Sequence, residues 1–500
     1  MINLFLAAFH DVFSVAMVSY ITLGVAIGYL VGALPGMNRA TAIALLIPFT
    51  FDLSPLVAIS LLIGVNKGGA AGSAVSAILI NVPGEPSSVV TTLDGYPMTQ
   101  QGKSQKALKI ALFASVIGDL LSTMVLILLA LPLAKLAVGM GPIEISAILI
   151  FAITFIAAAS GVSFFKGVIS GLFGLLLAAI GLDMETGLPR LTFGYLELFD
   201  GIPLLAVAIG TLALSEVFVQ ADRAWRGNYS HKVVQVTAQQ ESDKHLSMRE
   251  FRSAVPAIVR GSLAGIFVGI LPGLGATLAS FLGYTWTKRK APNKEEFGKG
   301  ALQGVAASES ADNASVPATL VPVFAIGLPG SLATALLMGA FMLHGLTPGP
   351  YLFRDDGQLV YGIFLGMIVA SLMLLVVGLV GQRFFAKVIG LGDTIILPVI
   401  VFLCFFGAYM EGGSMFSVYL MIGFAMLGYV MKKFDYSFVT FVVGYVLGPM
   451  TELSVRQAIV ISDGQFSVLL DHPVAIIFLA LAVFSAWRFG TRRMGDEIAT

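Results

Sequence analysis

Four short strings interrupt apolar stretches of this chain with proline and glycine and follow them with small polar residues. They are Leu34-Pro35-Gly36-Met37-Asn38-Arg39, Ile80-Asn81-Val82-Pro83-Gly84-Glu85-Pro86-Ser87-Ser88, Leu271-Pro272-Gly273-Leu274-Gly275-Ala276-Thr277 and Gly327-Leu328-Pro329-Gly330-Ser331-Leu332-Ala333-Thr334. Proline lacks a backbone donor and clashes with the preceding turn, so each string breaks a helix. The segment after a break begins with free N–H groups and a positive dipole end, while the segment before it leaves free carbonyls. That pairing suits an anion on one side and a cation on the other. We therefore expect a small anion to be bound by Pro35, Gly36, Asn38, Pro83, Gly84, Ser87, Ser88, Pro272, Gly273, Pro329, Gly330 and Ser331. Hydroxyl and amide groups near the breaks can ligate carboxylate oxygens or Na⁺.

Charged residues in apolar context need a reason, because each costs about 2.5–3.5 kcal/mol at a bilayer centre. Lys67, Glu85, Asp94, Glu309 and Asp312 all lie in or beside the breaks, and Glu309-Ser310-Ala311-Asp312-Asn313 is the densest polar group. It can hold a coupling cation, relay protons, or pair structurally with Lys67. For ion coupling we expect Ser73, Asn81, Glu309, Asp312 and Asn313. Arg39 can meet a substrate carboxylate, but near a helix end the expected outcome is snorkelling to the interface.

The elements that must position these residues occur twice. Gly24, Gly28, Gly32 and Gly36 recur as Gly261, Gly265, Gly269 and Gly273, 237 residues later, each series ending in Leu-Pro-Gly. Four-residue spacing lays glycines along one helix ridge, where a second backbone can approach. A close-packed helix broken at matching places in two halves points to a transporter site.

Hydrophobic residues make up 57% of the 500 and charged residues only 12%, with a mean hydropathy of +0.91. That is half the charge of an ordinary soluble domain and implies a polytopic membrane protein. Twenty-nine basic and 29 acidic residues cancel, so nucleic acid is not an expected partner. The single cysteine, Cys404, sits in an apolar run and reads as packing. The first basic residue is Arg39, so no cleaved leader is expected and the first apolar run reads as a retained span.

Apolar stretches long enough to cross a bilayer lie near 11–33, 57–80, 105–131, 143–160, 162–182, 201–219, 253–271, 302–326, 358–381, 394–410, 415–431 and 472–489. Shorter runs at 37–51, 274–287, 331–346 and 436–450 suit half-helices, hairpin arms or short spans. The basic segment 220–252 is cytoplasmic by the positive-inside rule. Walking outward from it places Lys166, Lys103, Lys106, Lys109, Lys432, Lys433, Arg488, Arg492 and Arg493 inside, with Lys135 as an exception. The turn near 94–104 then falls inside and its counterpart near 345–357 outside, so the halves are inverted. The fold class expected is an all-α polytopic membrane protein of roughly 12 transmembrane segments, built from two inverted repeats with broken helices or re-entrant hairpins. The repeats are 1–235, whose cytoplasmic linker starts near 220, and 236–500, which adds a terminal helix.

Three motif-like strings are set aside. Gln101-Gly102-Lys103-Ser104 imitates a phosphate loop, but the glycine needed five residues before Gly102 is Pro97. Gly390-Leu391-Gly392-Asp393 resembles one motif of intramembrane aspartyl proteases, yet an earlier Tyr-Asp partner is missing. The histidines His10, His231, His245, His344 and His472 show no metal-ligand spacing.

Six strings carry a specific resemblance: Gly32-Ala-Leu-Pro-Gly36, Ala77-Ile-Leu-Ile-Asn-Val-Pro-Gly-Glu-Pro86, Asp94-Gly-Tyr-Pro-Met98, Phe297-Gly-Lys-Gly300, Gly327-Leu-Pro-Gly-Ser331 and Gly345-Leu-Thr-Pro-Gly-Pro350. In order and over nearly the whole length, the chain resembles the large membrane subunit of the tripartite tricarboxylate transporters. The resemblance implies a multi-pass permease of the bacterial inner membrane, working with a small four-helix-type membrane subunit and a periplasmic solute-binding protein. It further implies uptake of small organic carboxylates driven by a cation gradient, with no enzyme activity, no cofactor and no metal beyond a coupling Na⁺. Two departures stand out: Ala71-Gly72 where a glycine pair is expected, and Asp312-Asn313 where an asparagine pair is expected. The extra carboxylate leaves Na⁺ and H⁺ coupling both open. The alternatives are a carboxylate or anion symporter that needs no binding protein and, from another class, an intramembrane aspartyl protease.

Overall fold

Apolar composition and repeated helix breaks leave a chain whose described residues are mostly helical. The computed structural model describes residues 8–34, 37–159, 163–183, 185–225, 245–388 and 393–498. In order come α1 (Val15–Ala33), α2 (Arg39–Leu46), α3 (Pro55–Ile80), α4 (Val89–Gln100), α5 (Ser104–Val138), α6 (Pro142–Ala159), α7 (Phe164–Ala178) and a two-stranded antiparallel hairpin, β1 (Gly181–Leu182) with β2 (Pro189–Arg190). There follow α8 (Leu204–Ala208), a π-helical stretch Ile209–Leu214, α9 (Ser215–Trp225), α10 (Met248–Ile270), α11 (Gly275–Lys290), α12 (Leu302–Ala318), α13 (Val321–Ile326) and α14 (Leu332–Leu343). The last elements are α15 (Leu352–Asp355), α16 (Gly357–Val388), α17 (Asp393–Gly412), α18 (Met415–Lys433), α19 (Phe438–Ile461) and α20 (Pro473–Ile498). Among the described residues, eight helical stretches are long and apolar enough to cross a bilayer, and six shorter apolar helices accompany them.

The glycine ladders lie where helices meet backbone to backbone. A Cβ on Gly24, Gly28 or Gly32 of α1 would overlap the carbonyl of Leu61, Val65 or Gly69 on α3. On the C-terminal side, Gly261, Gly265 and Gly269 of α10 meet the carbonyls of Ala307, Ala311 and Ser315 on α12 in the same way. Close approach of small residues replaces the hydrophobic effect as the adhesive between helices in lipid. Both ladders border one apolar core, to which α1, α3, α5, α10, α12 and α16 contribute. A second core gathers residues of α2, α6, α14, α17, α18 and α19.

The breaks fall at matching points. α1 ends at Ala33 with Leu34 extended (φ −82°) and its N–H bonded to the Val31 carbonyl; α10 ends at Ile270 with Leu271 extended (φ −87°) and bonded to Val268. α3 terminates on left-handed Asn81 (φ 57°) and α13 on left-handed Gly327 (φ 73°), a conformation asparagine and glycine tolerate best.

Several boundaries differ from those expected. The run at 436–450 is no half-helix but the start of the 24-residue α19, which the polar Thr451, Glu452, Ser454 and Arg456 disguise. The run 302–326 divides at Thr319 and Leu320 into α12 and α13, and α5 extends through Pro132 and Lys135 to Val138. The β1–β2 hairpin departs from the all-α expectation, and with two residues per strand it carries no alternating apolar pattern. There Asp183 accepts hydrogen bonds from Arg456 (2.7 Å) and from the backbone N–H groups of Glu185 and Thr186 (3.0 Å each), while Arg190 pairs with Asp183 and Glu452. The Arg456 bond, helped by those N–H groups, holds the Asp183 carboxyl well below the usual carboxylate range. Lys166, at the opposite end of α7, donates to the Phe434 carbonyl at 2.9 Å.

Candidate functional site

Helical spacing puts Glu309, Asp312 and Asn313 on adjoining positions of α12, three and four residues apart. All three are buried, and neighbouring elements supply their partners. Ser87, in the one-turn 3₁₀ helix before α4, donates to Asp312 Oδ2 at 2.7 Å. Thr91 of α4 donates to Glu309 Oε1, and Ser115 of α5 donates to Glu309 Oε2 at 3.2 Å. Asn313 Nδ2 donates to Ser115 Oγ at 2.9 Å and to the Glu309 carbonyl at 3.0 Å. The second N-terminal break and α12 thus share one hydrogen-bonded group although more than 200 residues separate them in sequence. Gly118 of α5 allows this, since a Cβ there would meet the Ser310 carbonyl.

Arg39 joins the group rather than snorkelling. Its backbone N–H donates to Glu85 Oε1 at 2.8 Å, its Nε lies 3.2 Å from Glu85 Oε2, and its Nη2 lies 3.8 Å from Asp312 Oδ1. Glu85 draws it inward, and the break places Glu85 there. Ser88 donates to the Glu85 carbonyl at 2.8 Å, and Asn38 caps α2 by accepting from Thr41 N–H at 2.9 Å. Gly84 fits against the Gly32 carbonyl and Ser73, a space a side chain would fill. Among the described residues, Arg39 Nη1, Asp312 Oδ1 and Asn313 Oδ1 are buried without a hydrogen-bond partner.

The C-terminal breaks form a second group. Gly273 N–H donates to the Gly330 carbonyl at 3.1 Å, and a Cβ on Gly330 would come within 2.9 Å of the Thr319 carbonyl. Pro329 is buried, Pro272 half-buried, and Ser331 caps α14 in a reciprocal pair with Thr334. α12 carries the acidic residues of the first group, and the Thr319 that follows it touches the second. Ser73 and Asn81 stand apart from the acidic residues: Ser73 Oγ donates to the Ala70 carbonyl at 2.7 Å, and Asn81 is an exposed C-cap. Pro35, Gly36 and the Gly390–Gly392 part of the protease-like string lie outside the described residues.

Lys67 does not pair with Glu309 or Asp312. Its ammonium lies 2.7 Å from Asp119 Oδ2 and also donates to Thr123 (3.0 Å), the Met367 carbonyl (2.9 Å) and Ser371 (2.9 Å). Asp119 stands alone in an apolar run and belongs to none of the four break strings; its sequence signal is a lone acid in one span with a lone base, Lys67, in another. Asp94 is likewise explained by a distant partner. Its Oδ1 accepts N–H groups from Gly298 (2.8 Å), Gly300 (2.9 Å) and Ala301 (2.8 Å), and Tyr284 donates to its Oδ2 at 2.9 Å. The Phe297-Gly-Lys-Gly300 string is thus the receptor for the Asp94-Gly-Tyr-Pro-Met98 string.

Chemically, the first group places carboxylates, hydroxyls and an amide oxygen around a guanidinium in a buried setting. Oxygen acceptors of this kind suit a hard monovalent cation or a proton, and the guanidinium suits a carboxylate. A family model described as "Tripartite tricarboxylate transporter TctA family" matches residues 18–443. An uncharacterized 52.8 kDa protein in the TAR-I ttuC′ 3′region of Agrobacterium vitis is 34% identical over 460 residues, covering 92% of this chain and 90% of that protein. An uncharacterized protein in the TAR-II ttuC′ 3′region of the same organism is 35% identical over 219 residues, 44% of this chain and 90% of its own length. No solved structure matches.

Proposed function

The chain belongs to the tripartite tricarboxylate transporter TctA family, and on that footing we propose that it is the permease subunit of a secondary transporter importing small organic carboxylates. A periplasmic binding protein delivers the carboxylate, a small membrane subunit accompanies the permease in the bacterial inner membrane, and a Na⁺ or H⁺ gradient drives uptake. The family is one of transporters, not of enzymes, and the chain is a multi-pass membrane protein.

The observation that carries this reading is the buried junction of Arg39, Glu85, Ser87, Glu309 and Asp312, where a helix break of the N-terminal half meets α12. Buried charges at broken helices are expensive in lipid and typify substrate and ion pathways. Matching glycine ladders and matching Leu34/Leu271 and Asn81/Gly327 breaks support two inverted repeats that exchange conformations by symmetry. The carboxylate binds among Asn38, Ser87, Ser88, Ser331 and the break backbones, and the coupling ion at Glu309, Asp312 and Asn313. The test is uptake of labelled mono-, di- and tricarboxylates into proteoliposomes holding the permease and small subunit, with and without the cognate binding protein, under imposed Na⁺ or pH gradients. Gradient-driven uptake that requires the binding protein is expected. Uptake without it favours the independent symporter, and no carboxylate uptake under either gradient refutes the reading.

A further inference from the structure

Arg39 is held in an incomplete way. Glu85 takes its backbone N–H and its Nε, but the Nη2 contact to Asp312 Oδ1, at 3.8 Å, is too long for a hydrogen bond. Arg39 Nη1 and Asp312 Oδ1 are both buried without a hydrogen-bond partner among the described residues, and the Asp312 side chain is only 1% exposed. A guanidinium is a planar fork that matches one carboxylate through two parallel bonds. Here the outer edge of the fork, Nη1 with Nη2, is left without a hydrogen bond while Glu85 holds the inner side.

We propose that this outer edge of Arg39 is a binding site for the substrate carboxylate, and that Arg39 and a monovalent cation exchange places at Asp312. The inference rests on the reading of the junction as a carboxylate and cation site. A carboxylate drawn onto Nη1 and Nη2 removes the positive charge facing Asp312, leaving a buried acid uncompensated. A Na⁺ or a proton at Asp312 Oδ1 restores the balance and frees the fork in the same step. The ionisable groups around Asp312 are Arg39 from α2, Glu85 from the turn before α4, and Glu309 one turn earlier on α12; Ser87 donates to Asp312 Oδ2, while the hydroxyls of Thr91 from α4 and Ser115 from α5 go to Glu309. Cation and carboxylate therefore favour each other's binding, and by linkage the effect is reciprocal.

The test uses the full chain in nanodiscs and reads thermal stabilisation. The first arm contains no carboxylate: Na⁺ is titrated against choline at fixed pH, and pH is varied in K⁺ at fixed ionic strength, which separates the two cation sources. Arg39→Gln should lower the midpoint for one of them about tenfold, since the competitor is gone, whereas Arg39→Lys, which keeps a positive charge, should stay near wild type. The second arm adds citrate. Its stabilisation should grow with the cation in the wild type, become independent of the cation in Asp312→Asn, and weaken in Arg39→Lys, which lacks the fork. Unchanged midpoints in Arg39→Gln overturn the proposal. If that variant does not fold, a wild-type cation dependence of citrate stabilisation in Asp312→Asn overturns it. Failure of wild-type uptake counts against the transport reading alone, because the first arm needs no substrate.

Discussion

The Lys67 ammonium lies 2.7 Å from the Asp119 carboxylate, with both side chains withdrawn from solvent and with α16 adding a carbonyl and a hydroxyl to the same charge. A buried pair of this kind is costly to break on one side only, because the survivor is left uncompensated. Lys67→Met and Asp119→Leu should each destabilise the protein by about 3–5 kcal/mol. The double variant should recover most of that loss, since neither charge remains. Thermal unfolding of the purified single and double variants measures this; a double variant as unstable as the sum of the two would show that the pair is not the unit that matters.

A ladder of glycines under a facing backbone tolerates no added carbon. Gly28→Ala and Gly265→Ala should each cost about 1–3 kcal/mol through overpacking, and leucine at either site should abolish assembly. Fluorescence-detected gel filtration of the variants provides the readout, and wild-type profiles for both leucine variants would contradict the close contact.

Inverted repeats require the turns after α4 and α14 to open on opposite sides. Cysteine reporters placed after Gln100 and after Arg354 should label from opposite faces of the membrane. Labelling of both from one face would remove the inversion.

Within the junction, anion and cation roles are separable by kinetics. Enlarging Ser87, Ser88 or Ser331 should raise the KM for carboxylate, whereas Glu309→Gln or Asp312→Asn should shift the Na⁺ or pH dependence of uptake more than the carboxylate KM. Unchanged ion dependence with falling protein levels would assign the two acids a structural role.

Outside the membrane, Asp183 supplies a pH test. Its carboxyl is held below the ordinary range when folded, so its stabilising effect is complete above the unfolded value of about 4 and is lost as pH falls through the lower folded value. The melting-temperature deficit of Asp183→Asn should therefore be constant from about pH 8 to 5 and shrink only below about pH 4. A deficit that disappears already at pH 5 would contradict the arginine-held carboxylate.

The sequence disclosed what is local and periodic. Four-residue glycine spacing announced that α1 and α10 each meet another backbone closely, and the Pro-Gly strings announced the breaks, because both depend on neighbours along the chain. It did not disclose partners. Arg39 looks like a helix-end cation until Glu85 folds over it, Lys67 has no sequence link to Asp119, and nothing in Ser115 marks it as the shared partner of Glu309 and Asn313. α19 reads short in the sequence because its polar residues facing the β1–β2 hairpin resemble a helix end.

The Asp94 latch also bears on how the chain matures. The carboxylate is made more than 200 residues before the N–H groups of Gly298, Gly300 and Ala301 that receive it, and Asp94 is fully buried once they do. During synthesis the N-terminal half enters the membrane carrying an acid whose described partners do not yet exist, and Ser87 and Thr91 wait in the same way for α12. The contacts of α4 and the turn before it with the 298–301 segment and with α12 can form only after residue 312 has been made. The two halves, though built alike, are obliged to ripen together.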